Sequence, residues 1–162
     1  MALEIERKFL VRGDRWRDRV SRQCRIRQGY LNPAEGCSVR VRSADGRGWL
    51  NIKSVTIGAQ RHEYEYEIPY RDAEEMLDTL CRRPLIEKTR HFVEHEGHLW
   101  EIDVFDGDNA GLVVAEIELN HPDEPFVKPA WIGREVTDDP RYYNTCLSQN
   151  PYRNWRGRAP AP

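Results

Sequence analysis

The chain has 162 residues, and 32% of them are charged, yet its formal net charge is only −2. That balance excludes a nucleic-acid binder driven by bulk basicity, and the length suits one domain with a real core. Four cysteines (Cys24, Cys37, Cys81, Cys146) stand far apart without a C-x-x-C pair, which excludes a zinc framework or disulfide scaffold and fits a reducing, cytoplasmic compartment. The N-terminus lacks the apolar run of a signal peptide. No stretch approaches 18 apolar residues, so no membrane-spanning helix is expected.

Leu3 to Val11 reads as a strand that alternates charged and apolar residues. Gly13 to Val20 predicts a short helix, with Asp14 as N-cap and Trp16 and Val20 as an i,i+4 apolar pair. Strands follow at Cys24–Leu31, Ser38–Ser43 and Trp49–Val55, the last two joined by an Asp45-Gly46 hairpin turn. Another runs from Arg61 to Ile68 and stops at Pro69. Asp72-Ala73-Glu74-Glu75 has the form of a capping box and predicts a helix to Leu80. Ile86–Glu94 and Leu99–Phe105 read as strands joined through Glu96-Gly97, and Leu112–Leu119 as another. A Pro-broken stretch then reaches Gly133–Thr137, and a last helix is expected from about Asp138 through Leu147, with Pro140 in its first turn. The pattern predicts about eight strands and two or three helices in one domain over residues 1–155, with 156–162 as a short disordered tail.

Successive side chains point to opposite faces of a strand. Glu4, Glu6 and Lys8 therefore share a face, as do Arg40 with Arg42, and Asn51 with Lys53. So do Arg61 with Glu63, Glu65 and Glu67, Lys88 with Arg90, Glu101 with Asp103, and Glu116 with Glu118. Two architectures accommodate this recurrence. A flat sheet would pack its apolar face on helices and wet its charged face. A curled sheet of about eight antiparallel strands would close and turn the charged faces onto a common interior. The positions are almost all Glu, Asp, Arg or Lys, with the signs segregated by strand. Charge that dense is costly unless ions and ligands occupy it. Clustered carboxylates suit Mg²⁺ or Mn²⁺, and clustered Arg and Lys suit phosphate oxygens. Neither a G-x-x-x-x-G-K-[ST] nor a G-x-G-x-x-G loop is present, so side chains would have to hold the phosphates.

Glu4-Ile5-Glu6-Arg7-Lys8 resembles the E-x-E-x-K signature of the CYTH superfamily, the triphosphate tunnel metalloenzymes. Arg40-Val41-Arg42, Lys53, Glu63 to Glu67, Lys88-Thr89-Arg90, Glu101-Ile102-Asp103 and Glu116-Ile117-Glu118 are similar to its later motifs, in order. Gly133 to Thr137, followed by Tyr142 and Asn144, resembles the closing segment of the short bacterial members. The resemblance implies an α+β, mainly β fold: an eight-stranded antiparallel barrel with a charged interior and helices outside. It implies hydrolysis or cyclisation of a triphosphate, with two Mg²⁺ or Mn²⁺ ions per site. The opening Glu4 to Val11 is similar to that of inorganic tripolyphosphatases; adenylyl cyclase and thiamine or nucleoside triphosphatase are the family alternatives, and a polyphosphate-binding module is the non-enzymatic one. The implied partner is a small-molecule triphosphate, with nucleic acid disfavoured, no membrane, and a homodimer left open.

By the same resemblance, Glu4, Glu6, Glu116 and Glu118 hold the principal metal with Asp103 assisting. Lys8, Arg40, Arg42, Lys53, Arg61, Lys88 and Arg90 bind phosphate oxygens. Glu63 or Glu65 serves a second metal or orients the attacking water, and Lys88 donates a proton or charge to the leaving phosphate. The competing role for each is one half of a structural ion pair. Gln28 and Tyr30 share a strand face that can line the tunnel. His91, His95 and His98 straddle a turn and read as structural or surface residues, and Tyr142 and Tyr143 as helix-docking residues, with covering a tunnel mouth as the alternative.

Overall fold

Eight antiparallel strands close on themselves in the computed structural model, which describes residues 3–33, 35–55 and 57–162. They are β1 (Leu3–Val11), β2 (Arg22–Tyr30), β3 (Cys37–Ala44), β4 (Arg47–Ser54), β5 (Gln60–Ile68), β6 (Ile86–His95), β7 (His98–Phe105) and β8 (Val113–Glu118), joined by a short β9 (Ile132–Glu135). Around the barrel the order is β5-β4-β3-β2-β6-β7-β8-β1, and β1 pairs back onto β5. The curled alternative is therefore the one adopted. β1 closes the ring: Leu3 to Ile5 pair with β5, Glu6 to Leu10 with β8, and Phe9 and Val11 with β9. The hairpin turns are as expected. Asp45 and Gly46 (φ 51 and 73), like Glu96 and Gly97 (φ 47 and 80), take the left-handed values that a two-residue turn demands.

Apolar faces of the strands point outward and are largely covered, except on β5, where Tyr64 and Tyr66 are exposed. Ile5, Phe9, Trp100, Ile102, Ala115 and Ile117 pack with Trp16, Trp131 and Phe126. Val41, Ala73, Leu77 and Cys81 form a second cluster under helix α1 (Tyr70–Thr79). Beyond Lys8 the inward row of β1 reaches Leu10, which packs with Ile86, Phe105, Val114, Tyr142, Leu147 and Trp155. The interior is thus charged around one set of residues and solidly apolar around another.

Gly48 sets the approach of α1. A Cβ there would lie 2.6 Å from the Ala73 Cβ, in a place with no slack. Gly48→Ala should therefore cost about 1–3 kcal/mol by overpacking; a denaturant titration with an unchanged midpoint would show instead that α1 shifts freely.

Four expectations change. α1 starts at Tyr70, directly after Pro69, because Ala73 N–H closes the first turn on the Pro69 carbonyl at 3.1 Å; Asp72 sits inside that turn and makes no side-chain cap. The helix expected over 13–20 is a 3-10 turn, Arg15–Arg19, held by buried Trp16, and Asp14 makes no side-chain cap. The last helix is broken. Pro140–Tyr142 is a 3-10 turn, Tyr143 is extended, and α2 is only Asn144–Leu147. The break leaves the Tyr143 hydroxyl donating to the Thr137 carbonyl at 2.5 Å. Residues 156–162, expected to be disordered, instead lie against the barrel behind buried Trp155, with a 3-10 turn at Arg156–Arg158 and the Pro162 carbonyl 3.4 Å from Arg12 Nε. Among the described residues no helix is long and apolar enough to cross a membrane.

Candidate active site

The inward charged face surrounds a cavity of about 220 Å³. Of the residues singled out in the sequence, Glu4, Glu6, Lys8, Arg40, Arg42, Lys53, Arg61, Glu63, Glu65, Arg90, Glu116 and Glu118 line it. Lys88 and Asp103 do not.

One wall is acidic and built by β1 and β8, where the register sets Glu6 opposite Glu118 and Lys8 opposite Glu116. Glu101 joins from β7, opposite Glu116. Burial first, then the neighbouring Glu116 and Glu4 charges, push the Glu6 carboxyl up to about 8. Burial also raises Glu118, helped by Glu4, Glu63 and Glu101. Glu116 goes the other way. Burial opposes its charge, but Lys8, Arg90 and Lys88 outweigh that and hold it well below the usual carboxylate range. Lysines stand between the carboxylates: Lys53 Nζ is 2.8 Å from Glu4 and 3.0 Å from Glu63, and Lys8 Nζ is 3.1 Å from Glu116. Among the described residues no three His, Cys, Asp or Glu side chains already converge at metal-ligand spacing, because these ammonium groups keep them apart.

The facing wall is basic. Arg40 and Arg42 come from β3 and Arg90 from β6. Arg90 is satisfied, at 2.7 Å from Glu101 and 2.8 Å from Asp103. Arg40 is not: its nearest carboxylate, Glu65, is 3.8 Å away, and its buried Nε has no partner among the described residues. Arg42 donates through Nε to the neutral Gln28 amide at 2.9 Å. Burial, then repulsion from Arg40 and Arg90, lower the Arg42 guanidinium to about 10. Arg61 also reaches the cavity, with its guanidinium 5.3 Å from the Tyr143 ring and Nε again unpartnered among the described residues. Asn51 donates to Glu63 at 3.1 Å and to Glu65 at 2.9 Å, fixing both carboxylates at the cavity edge.

Lys88 and Asp103 lie beneath the cavity, both with 0% exposure. Asp103 accepts from Lys88 at 2.7 Å and from Arg90 at 2.8 and 2.9 Å, so both of its oxygens are engaged. Lys88 also donates to Asn144 at 3.2 Å. Both residues are already paired in this arrangement, and through Asp103 they brace Arg90 from below.

Ser38 lines the cavity without having been foreseen there, as do Asn144, Thr145 and, beyond its expected helix-docking role, Tyr143. The last three arrive on the broken C-terminal helix. A continuous helix would have carried them past the barrel, so only the break at Tyr143 reveals them. Tyr30 lines the cavity, as its strand face suggested. His91 stacks edge-on against Trp16 at 5.0 Å, and His98 pairs with Glu124 at 2.7 Å, both away from the cavity.

Comparison with known proteins agrees with this architecture. The CYTH domain model matches residues 2–143. The chain is 49% identical over 156 residues to an inorganic triphosphatase of Acetivibrio thermocellus, covering 96% of this chain and 99% of the relative. It is 37% identical over 149 residues to an inorganic triphosphatase of Nitrosomonas europaea, covering 90% and 96%. Among solved structures, the crystal structure of an inorganic triphosphatase superposes with a TM-score of 0.67 at 35% identity, over 91% of this chain and 95% of that one. An adenylyl cyclase homologue from Hippeastrum, described as having dominant triphosphatase activity, superposes at 0.55 over 76% and 81%; at 14% identity it shows the shared fold alone. With the family model spanning most of the sequence and the closed charged barrel in place, the chain belongs to the CYTH domain family.

Proposed function

We propose that the protein is an inorganic triphosphatase that hydrolyses tripolyphosphate to pyrophosphate and phosphate with a divalent metal, Mg²⁺ or Mn²⁺, two ions per site. One observation carries this reading. The cavity sets carboxylates from β1 and β8 against guanidiniums from β3 and β6, and burial first, then like-charged neighbours, push Glu6 up to about 8 and Arg42 down to about 10. A metal–polyphosphate complex presents cation to the first wall and phosphate oxygens to the second, and relieves both. A simple anion binder would gain nothing from the acidic wall.

The donor set fits a hard cation, because it offers carboxylate oxygens with no thiolate or imidazole among them. Glu4, Glu6, Glu116 and Glu118 would hold the principal ion once Lys53 and Lys8 turn from them to phosphate. A second ion would be taken by Glu63 or Glu65. When bound, the metal supplies Lewis-acid polarisation of the phosphoryl oxygens and neutralises their charge.

The chain's own residues do the rest. Arg40, Arg42, Arg90, Lys8, Lys53 and Arg61 bind the equatorial and bridging oxygens, and they stabilise charge that grows on the leaving pyrophosphate. Glu63 or Glu65, aligned by Asn51, accepts a hydrogen bond from the water that attacks the terminal phosphorus. The new P–O bond forms as the bond to the bridging oxygen breaks, and the pair leaves with pyrophosphate. Lys88 is given a positioning role in place of proton donation, since Asp103 and Asn144 hold it below the cavity.

The test is a substrate panel of tripolyphosphate, ATP and thiamine triphosphate, each with Mg²⁺ and with Mn²⁺, resolving phosphate from pyrophosphate. Tripolyphosphate should be turned over fastest and only with metal. No release of phosphate from any of the three would overturn the reading, and pyrophosphate with a cyclic nucleotide from ATP would identify a cyclase instead.

A further inference from the structure

Arg42 is a half-buried cation in the cavity wall, and its guanidinium donates a hydrogen bond to a neutral group. The partner, Gln28, has 0% exposure and lies beside the cavity on β2, opposite Arg42 in the β2–β3 register. Its Oε1 accepts from Arg42 Nε at 2.9 Å, and its Nε2 donates to Asn144 Oδ1 at 3.2 Å. Asn144 Oδ1 also accepts from Lys88 Nζ at 3.2 Å. The two ends of this relay are a guanidinium and an ammonium, and both can only donate. That forces the sense of both amides. The Gln28 carbonyl must face Arg42, the Asn144 carbonyl must face Lys88, and the Gln28 amide hydrogens must bridge between them.

We infer that Gln28 is a positioning residue for substrate binding, aiming the Arg42 guanidinium at phosphate while leaving its charge unneutralised, with Asn144 locking the Gln28 amide in the required sense. The inference rests on the polyphosphate reading of the cavity. Its physical content lies in the choice of an amide over a carboxylate. Arg90 has Asp103 and Glu101, Lys8 has Glu116, and Lys53 has Glu4, whereas Arg40 has only the more distant Glu65 at 3.8 Å and Arg42 has the neutral Gln28. A glutamate of the same size at position 28 would set a carboxylate oxygen against Asn144 Oδ1, so the Asn144 amide would have to turn over and Lys88 would lose that acceptor. The glutamate would also satisfy the arginine internally, so that phosphate would have to displace it, and a charge-assisted pair is harder to displace than a neutral hydrogen bond. The amide gives orientation without competition. Asn144 couples this arrangement to the C-terminal segment, because it enters the lumen only where the helix breaks after Tyr143.

The test compares wild type, Gln28→Glu and the near-isosteric Gln28→Met. Three quantities are read: KM and kcat for tripolyphosphate, its metal-free affinity by calorimetry, and thermal stability without ligand. Gln28→Glu should melt near the wild-type temperature, because the ion pair gained with Arg42 offsets the hydrogen bond lost to Asn144 Oδ1. Its KM and its dissociation constant should rise at least about tenfold, a loss near 1.4 kcal/mol of binding, with kcat within about threefold. Gln28→Met should be less stable than wild type and should lose affinity by a smaller factor, since Arg42 is misdirected but still free. A merely structural Gln28 predicts the opposite split: lower stability in both variants with KM unmoved. A folded Gln28→Glu protein that binds tripolyphosphate within twofold of wild type would overturn the assignment. The affinity ratio reads the role of Gln28 even in a protein that binds tripolyphosphate without turning it over, so failure of the hydrolase reading and failure of this inference give different results.

Discussion

Asp103→Asn should destabilise the protein by about 3–5 kcal/mol and lower its melting temperature by roughly 6–20 °C. The reason is burial. Asp103 and Lys88 are both fully enclosed, and Asp103 also takes two hydrogen bonds from Arg90. An amide of the same shape keeps the volume but leaves the Lys88 ammonium without its counter-charge and Arg90 without its bidentate partner. Burial already lowers Lys88 to about 8 against the attraction of Asp103, so the lysine of the variant should shed its proton near neutral pH and thereby cap the loss. Differential scanning calorimetry of the metal-free protein measures the effect. A variant with wild-type stability that has lost only metal-dependent turnover would restore Asp103 as a metal ligand.

Glu6→Gln is expected to do the reverse: to stabilise the metal-free protein and to cut tripolyphosphate hydrolysis by about 10²–10³-fold, the usual scale for removing one electrostatic element of such a site. In the folded state Glu6 holds its proton up to about pH 8, against an ordinary value of 4.5. Between those values the native state binds a proton that the unfolded state has released, so stability falls as pH rises. The Glu6 contribution is fully present below pH 4.5 and lost by about pH 8. Glutamine has no proton to lose. The variant should therefore melt higher than wild type at pH 8, match it more closely near pH 5, and show a flatter profile between. Equal melting curves for the two proteins at pH 8 would mean that Glu6 is not crowded by Glu116 and Glu4. A residue whose removal stabilises the fold while removing activity is one held for function.

Much of this was legible in the sequence because strand alternation reports directly on face. Glu4, Glu6, Lys8, Arg40, Arg42, Lys53, Glu116 and Glu118 were all placed on charged rows by parity, and with the sheet curled into a barrel all of them line the cavity. Parity carries no information about depth. Lys88 shares a face with Arg90, and Asp103 with Glu101, yet the cavity floor passes between the members of each pair. Only the full pairing register, with Arg90 opposite Asp103 and Lys88 opposite Phe105, shows how deep each lies. The C-terminal segment was misread for a different reason. Tyr142, Tyr143, Cys146 and Leu147 have helical spacing, and no local rule foresees that the Tyr143 hydroxyl will be drawn to the Thr137 carbonyl. Asn144 reaches the lumen only through that break. Ring order was illegible as well, because β1 meets β5 and β2 meets β6 through contacts that span long stretches of chain.

The position of β1 in that ring has a consequence for how the protein comes to exist. The strand bearing Glu4, Glu6 and Lys8 is made first, but its partners β5 and β8 follow much later in the chain, and its pairing with both is what closes the barrel. Non-local strand pairing of this kind is slow, since loop-closure entropy is spent before contacts return it. No half-made chain holds both walls of the cavity. A polyanion that binds only the closed barrel therefore stabilises it by mass action.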